Sequence, residues 1–173
     1  CGVCQWHPTE SSVKDHGMSF QLEPILDTEA ELKFHALKQG LFEHVDAVFG
    51  WNDDFQKERM SQEYQTDWFY WIKRDKTRVG LICFKPYDNA YHVHLLLVFP
   101  ECQNQGVGQQ VMHALHQQAR QQLRDKVTLS SFVRNRKAIQ FYQRLGYTIL
   151  NQEDDFVSMS LTLSQEITSK EAS

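Results

Sequence analysis

The sequence predicts an α/β domain: a mixed, mainly antiparallel sheet covered by helices. Three observations carry this expectation. Alternating or apolar runs suited to strands recur along most of the chain. Three of them, over residues 68–73, 79–85 and 91–99, follow one another with only turn residues between, as in a meander of hairpins. Stretches of helical periodicity separate the first run, this meander, the next run and a final pair of runs, which gives the order β-α-α-β-β-β-α-β-α-β-β.

Each element has its own local reason. Phe20 and Leu22 alternate as in a first strand. Asp27 or Thr28 can cap the next helix, with Glu31 as the capping-box partner of Thr28. Leu32, His35 and Ala36 carry that helix to about Gln39, where Gly40 is expected to close it. A second helical stretch follows over 41–48. A turn at 49–54 precedes a helix over about 55–64. Asp75-Lys76 and Tyr87-Asp88-Asn89 are the expected hairpin turns. After Gly106, the residues Val107, Val111, Met112, Leu115, Ala119 and Leu123 recur at three- and four-residue intervals, the core stripe of a long helix. A strand at 127–133, a helix at 137–145, and strands at 147–150 and 156–163 complete the series.

Composition narrows the function. The chain has 173 residues, 41 % of them apolar and 23 % charged, with a net charge of −4. That length favours one domain with one well-buried core. The acidic balance and the lack of a Lys/Arg stripe argue against a nucleic-acid partner. No apolar run approaches the roughly 18 residues of a membrane span, so no membrane partner is expected. Residues 1–17 are polar and aperiodic. They read as a disordered extension rather than a secretory signal, with the domain over 18–163 and a polar tail over 164–173. Cys1-x-x-Cys4 has redox or half-zinc spacing but no second ligand pair, and the histidines lack carboxylate or cysteine partners at ligand spacing, so no metal is expected. Cys83 sits in an apolar strand pattern and reads as a core thiol. Together the cysteines suggest a reducing, cytoplasmic setting.

The most informative stretch is Gln103-Asn104-Gln105-Gly106-Val107-Gly108, directly after the apolar run that ends at Val98-Phe99-Pro100. A strand stops, a glycine-bearing loop follows, and a helix opens. Free backbone N–H groups and the positive end of a helix dipole then converge on one spot suited to phosphate. The stretch is neither a P-loop nor a six-residue dinucleotide fingerprint, since no Gly-Lys-Ser/Thr follows and Val111 stands where a third glycine belongs.

This strand, proline and Gln-x-x-Gly-x-Gly loop resembles the signature of GNAT acetyltransferases. About 25 residues on, Asn135-x-x-Ala138-x-x-Phe141-Tyr142-x-x-Leu145-Gly146-Tyr147 resembles a second signature of the same family. The resemblance covers about residues 19–163. It implies the GNAT fold, a twisted sheet of about seven strands with about four helices and splayed central strands. It also implies acetyl-coenzyme A as co-substrate and a primary amine acceptor, either a small molecule or a peptide. Gln103, Asn104, Gln105, Gly106, Val107 and Gly108 would hold the pyrophosphate, and Leu97 and Val98 the acyl end, with the Val98 N–H on the thioester carbonyl. Asn135 would bond the pantetheine, and Tyr142 would protonate the departing thiolate. One departure stands out: Asn104 and Gln105 are neutral where relatives often carry a basic residue. Charge compensation would then fall on the amides, the dipole and Arg136 or Lys137. Homodimers are common in the family, but no interface residue is legible here. The alternatives are a sensor that binds acyl-coenzyme A without turnover, another acyl group, or a hydroxyl acceptor.

Alternation places His92 and His94 on one face of the strand that would carry the acyl-binding backbone. The run His92-Val93-His94-Leu95-Leu96-Leu97-Val98 is similar to that of serotonin N-acetyltransferase, a branch of the superfamily in which the histidines relay the amine proton. Imidazole has a suitable pKa for that step. Chance placement or local hydrogen bonding is the plainer reading. Within the turn at 49–54, Trp51 could stack on the acceptor and Asp53 or Asp54 could attract its ammonium. The plainer reading is a helix cap with Trp51 packed beneath it.

Overall fold

A computed structural model describes residues 20–163. The expectations for residues 1–17, with Cys1 and Cys4, and for 164–173 lie outside the described residues. The elements run β1 (Phe20–Pro24), α1 (Ala30–Val48), α2 (Asp53–Glu63), β2 (Phe69–Arg74), β3 (Thr77–Tyr87), β4 (Ala90–Val98), α3 (Val107–Gln121), β5 (Lys126–Phe132), α4 (Arg136–Arg144), β6 (Thr148–Gln152) and β7 (Phe156–Thr162). This is the expected order, with seven strands and four helices.

The strands form one sheet in the order β1-β2-β3-β4-β5-β7-β6. Every pairing is antiparallel except β4 with β5. The α3 crossover forces that exception, since a strand that returns through a helix comes back parallel. Asp75 and Asp88 turn the two expected hairpins with φ of 58° and 52°.

Each face of the sheet carries its own core. On one face α1 and α2 bring Ala36, Leu37 and Met60 onto Phe69, Trp71, Leu81 and Cys83. On the other, α3 lays Val107, Val111, Met112, Leu115 and Ala119 against Ile72, Ile82, Val93, Val127 and Met159. Burying each of the larger of these side chains contributes about 1.5–3 kcal/mol. Leu123 does not belong to the stripe. It lies past the end of α3 with φ 60° and is 75 % exposed.

Gly40 does not close a helix. It lies inside α1, which runs unbroken to Val48. A Cβ there would sit 2.5 Å from Leu97 Cδ2, so the glycine lets α1 lie close on β4. The start of α1 also differs from expectation. A 3-10 turn over Asp27–Glu29 precedes it, and Glu29 accepts a hydrogen bond from the Leu26 N–H at 3.0 Å. The cap of α2 is Asn52, which accepts from the Phe55 N–H at 2.8 Å, rather than Asp53 or Asp54.

Candidate active site at the splay of β4 and β5

β4 and β5 pair only from Ala90 to Val93 and from Lys126 to Leu129. Beyond those residues both strands continue without pairing to each other, and the sheet opens. A cavity of about 480 Å³ lies there, lined by β4 from His92 to Leu97, by β5 from Leu129 to Phe132, and by α1, α2, α4 and β7.

The backbone of β4 is arranged for this opening. The Phe99 N–H donates to Val79 O at 2.9 Å, on the β3 side. Successive N–H groups of a strand point to opposite edges. The Val98 N–H therefore faces the unpaired edge, towards β5. Val98 O, on that same edge, accepts from Gln103 Nε2 at 2.9 Å. β4 also bulges: Cys83 pairs with Leu95 and Phe84 with Val93, leaving His94 as the extra residue. The bulge resets the alternation, so Leu95 and Leu97 join the α1/α2 side while Leu96 and Val98 join the α3 side.

His92 and His94 lie on one face as expected, with ring centroids 4.7 Å apart. His92 Nδ1 is 2.8 Å from Thr128 Oγ1. His94 stacks on Trp68 at 5.4 Å and meets the edge of Tyr64 at 5.0 Å. Its Nε2 is buried and has no hydrogen-bond partner among the described residues. Burial, with Lys85 nearby, holds His92 below the ordinary imidazole value. Burial, with His92 and Lys85 nearby, pushes His94 down to about 4. Both rings are thus neutral near pH 7.

Tyr142 comes from α4 and lines the same cavity. It is 7 % exposed and packs on Phe141 and Tyr147. Burial raises its phenol well above the usual range, which keeps it protonated. Asn135 also lines the cavity. It caps α4, accepting from the Ala138 N–H at 3.3 Å through Oδ1, which leaves its NH2 group for another partner. Cys83 reaches the cavity as well, fully buried, and burial raises its thiol far above the ordinary value.

The loop over residues 103–108 lies next to this cavity rather than among its lining residues. Asn104 and Gly106 take φ of 63° and 80°. Gly106 is the N-cap of α3, with open space where a Cβ would stand and no side-chain cap on the helix amides. Gly108 serves packing: a Cβ there would meet Phe141 Cζ at 3.2 Å. A cation that sequence order could not reveal approaches this loop. Arg74, at the end of β2, donates to Gln105 Oε1 at 2.7 Å. An open strand edge, uncapped helix amides and a nearby guanidinium fit an extended, phosphorylated thioester.

Trp51 and Asp53 stand apart. They do not line the cavity. Asp53 accepts from Trp51 Nε1 at 2.6 Å and from Lys38 Nζ at 2.9 Å. Those two donors hold its carboxyl below the usual range. Trp51 packs on Phe34 and Phe42 of α1. Sequence reading singled out none of His44, Phe132, Glu153 and Phe156, and named Phe49 only as the first residue of the 49–54 turn; all five line the cavity. They lie on α1, its C-cap, β5, the β6–β7 turn and β7, and no local motif joins them.

Among the described residues, no group of three or more His, Cys, Asp or Glu side chains could hold a metal ion. No helix among them is long and apolar enough to cross a membrane. No curated protein sequence matches the chain. Solved structures do. The ribosomal-protein-S18-alanine N-acetyltransferase of Escherichia coli superposes with a TM-score of 0.62 at 15 % identity, covering 84 % of this chain and 95 % of that one. The PaiA N-acetyltransferase of Thermoplasma acidophilum, in complex with coenzyme A, gives 0.67 at 12 %, over 83 % and 99 %. Ard1 of Thermoplasma volcanium gives 0.62 at 17 %, over 84 % and 99 %. At such identities the likeness establishes the fold. The sequence model of the Acetyltransferase (GNAT) family matches residues 32–147, which contain the cavity's β4 and β5 walls, the 103–108 loop and Tyr142. The chain therefore belongs to the GNAT acetyltransferase family and is an acyltransferase that draws its acyl group from coenzyme A.

Proposed function

We propose that the chain transfers the acetyl group of acetyl-coenzyme A to a primary amine by direct attack within a ternary complex. One observation carries this reading. His92, His94, Asn135 and Tyr142, from two elements and one helix cap, line a single cavity where β4 and β5 part.

Acetyl-coenzyme A, when bound, supplies an activated acyl group as its thioester. The unpaired edge of β4 receives the pantetheine arm as it would an added strand. The Leu97–Val98 backbone, through the Val98 N–H, holds the thioester carbonyl where negative charge develops. Amides of residues 103–108 hold the pyrophosphate at the start of α3, with Arg74 beside them. Asn135 anchors the pantetheine through its free NH2 group.

The neutral rings of His92 and His94 accept the proton that the acceptor amine must lose, directly or through water. Tyr142 stays protonated at neutral pH and gives its proton to the departing sulfur. Cys83 is a poor nucleophile, since its buried thiol resists ionisation. That supports direct attack over an acylated enzyme.

The test is release of free thiol from acetyl-coenzyme A against a panel of amines, amino acids and peptides, beside calorimetric titration of the cofactor. Turnover is the expected result. Tight binding without turnover across the panel would favour a sensor. No binding would overturn the roles given to residues 97–108.

A further inference from the structure

Four rings form a continuous ladder on one wall of the cavity. His44 stacks on Phe132 at 5.6 Å, Phe132 packs on Phe156 at 4.8 Å, and Phe156 stacks on Phe49 at 6.1 Å. All four line the cavity. They come from α1, its C-cap, β5 and β7, so the ladder is made by the tertiary fold. His92, His94 and Tyr64 form a second aromatic surface in the same cavity.

The charges among the lining residues point the same way. Arg59 is engaged by Glu63 at 3.1 Å. Burial, with Arg134 nearby, holds His44 below its ordinary value, and His92 and His94 are likewise held neutral. Arg134, behind His44, does not line the cavity, and it contacts Glu43 and His44. Glu153 is the acidic residue of the lining, and it forms no ion pair among the described residues. The lining thus offers a cation one carboxylate without an ion pair among the described residues, while Arg59, its one arginine or lysine, already pairs with a carboxylate.

We infer that the acceptor is a primary amine with an apolar, preferably aromatic, body and no carboxylate of its own. Its ammonium is drawn in by Glu153, and its body lies against the Phe49–Phe156–Phe132 ladder. Rings suit both parts of such a ligand: their faces attract cations and bury apolar area. A free amino acid would bring a carboxylate close to Glu153, where like charges repel. This inference rests on the transfer reading, but its test does not need turnover.

Equilibrium binding to the coenzyme A-loaded protein is measured by calorimetry with three probes: 2-phenylethylamine, 2-phenylethanol and L-phenylalanine. The amine is expected to bind about tenfold more tightly than either of the others. Glu153→Gln should weaken the amine about fivefold, as for a charge near the surface, and leave the alcohol unchanged. Phe49→Ala, at a position 60 % exposed whose loss spares the core, should weaken amine and alcohol alike. Equal affinity for L-phenylalanine, or an amine affinity indifferent to Glu153→Gln, would overturn the inference. So would an amine that fails to saturate the protein. If the amine binds as described but is never acetylated, the amine-binding site stands and the transfer reading falls.

Discussion

The imidazoles of His92 and His94 meet edge to face at 4.7 Å, two residues apart on a strand that bulges at His94. The bulge lets Leu95 return to the same face instead of the opposite one. Two imidazoles and the backbone of Leu97 and Val98, to which the proposed function assigns acyl binding, therefore share one strand without sharing one register. Because burial lowers both histidines, a proton acceptor at these rings would be in its free form below the ordinary imidazole range. The acidic limb of the pH–rate profile should accordingly lie below pH 6.5, between that value and about 4. A His92→Ala/His94→Ala double variant should shift or abolish that limb. An identical profile in the double variant would assign the proton to water or another base.

Tyr142 is tested by removing one oxygen. Tyr142→Phe keeps the ring that packs on Phe141 and Tyr147. Folding and coenzyme A affinity should be nearly intact, while turnover falls at least about tenfold. Calorimetry and thiol release on the same preparation separate the two effects. Unchanged turnover would return Tyr142 to a purely structural role.

Asp53 differs from these. Its Oδ1 already accepts from Trp51 Nε1 and Lys38 Nζ, outside the cavity. Asp53→Asn should leave the Michaelis constant for a cationic acceptor within about twofold of the parent, the change expected of a surface charge. A clear rise in that constant would restore the acceptor role that its sequence context suggests.

The fold was legible because its signals are local. Periodicity, turn residues and the proline–glycine punctuation set the element order, and two short motifs marked β4 and α4. What escaped was whatever depends on contacts distant in sequence. Gly40 looked like a helix stop, yet its reason is Leu97, far along the chain. Arg74 is 31 residues from Gln105, so no loop motif includes it. The ladder of His44, Phe132, Phe156 and Phe49 joins three distant stretches of chain, and none of its residues is unusual alone. Asn52 and its two acidic neighbours are about equally good caps by local rules, and only the backbone geometry, with Asn52 extended and accepting from the Phe55 N–H, decides among them.

Two glycines touch Leu97 and should respond differently to alanine. At Gly80 a Cβ would meet the Leu97 carbonyl oxygen, part of the backbone of β4. Backbone cannot yield without moving the strand, so Gly80→Ala should cost about 3 kcal/mol and impair acyl transfer. At Gly40 a Cβ would meet both methyls and Cγ of the Leu97 side chain, which can shift where backbone cannot. Helix propensity also favours alanine there by about 1 kcal/mol. Gly40→Ala should therefore stay within about 1 kcal/mol of the parent. Urea unfolding of both variants checks the contrast, and equal losses would refute it.

His116 provides a prediction away from the cavity. It is 4 % exposed, and its Nε2 lies 2.7 Å from the Tyr147 hydroxyl. Burial, with His113 and Arg120 nearby, pushes it down to about 4. The unfolded chain then takes up this proton near pH 6.5, before the folded one does. Stability from the neutral ring is fully present above pH 6.5 and erodes as the pH falls from there towards 4. His92 and His94 add to the loss with the same sign. His116→Gln, which can still hydrogen-bond Tyr147, should flatten the fall in unfolding free energy between pH 6.5 and 4.5. The limiting slope for one proton is about 1.4 kcal/mol per pH unit, and the variant should lose a good part of it. Parallel curves for parent and variant would mean that His116 does not titrate differently on unfolding.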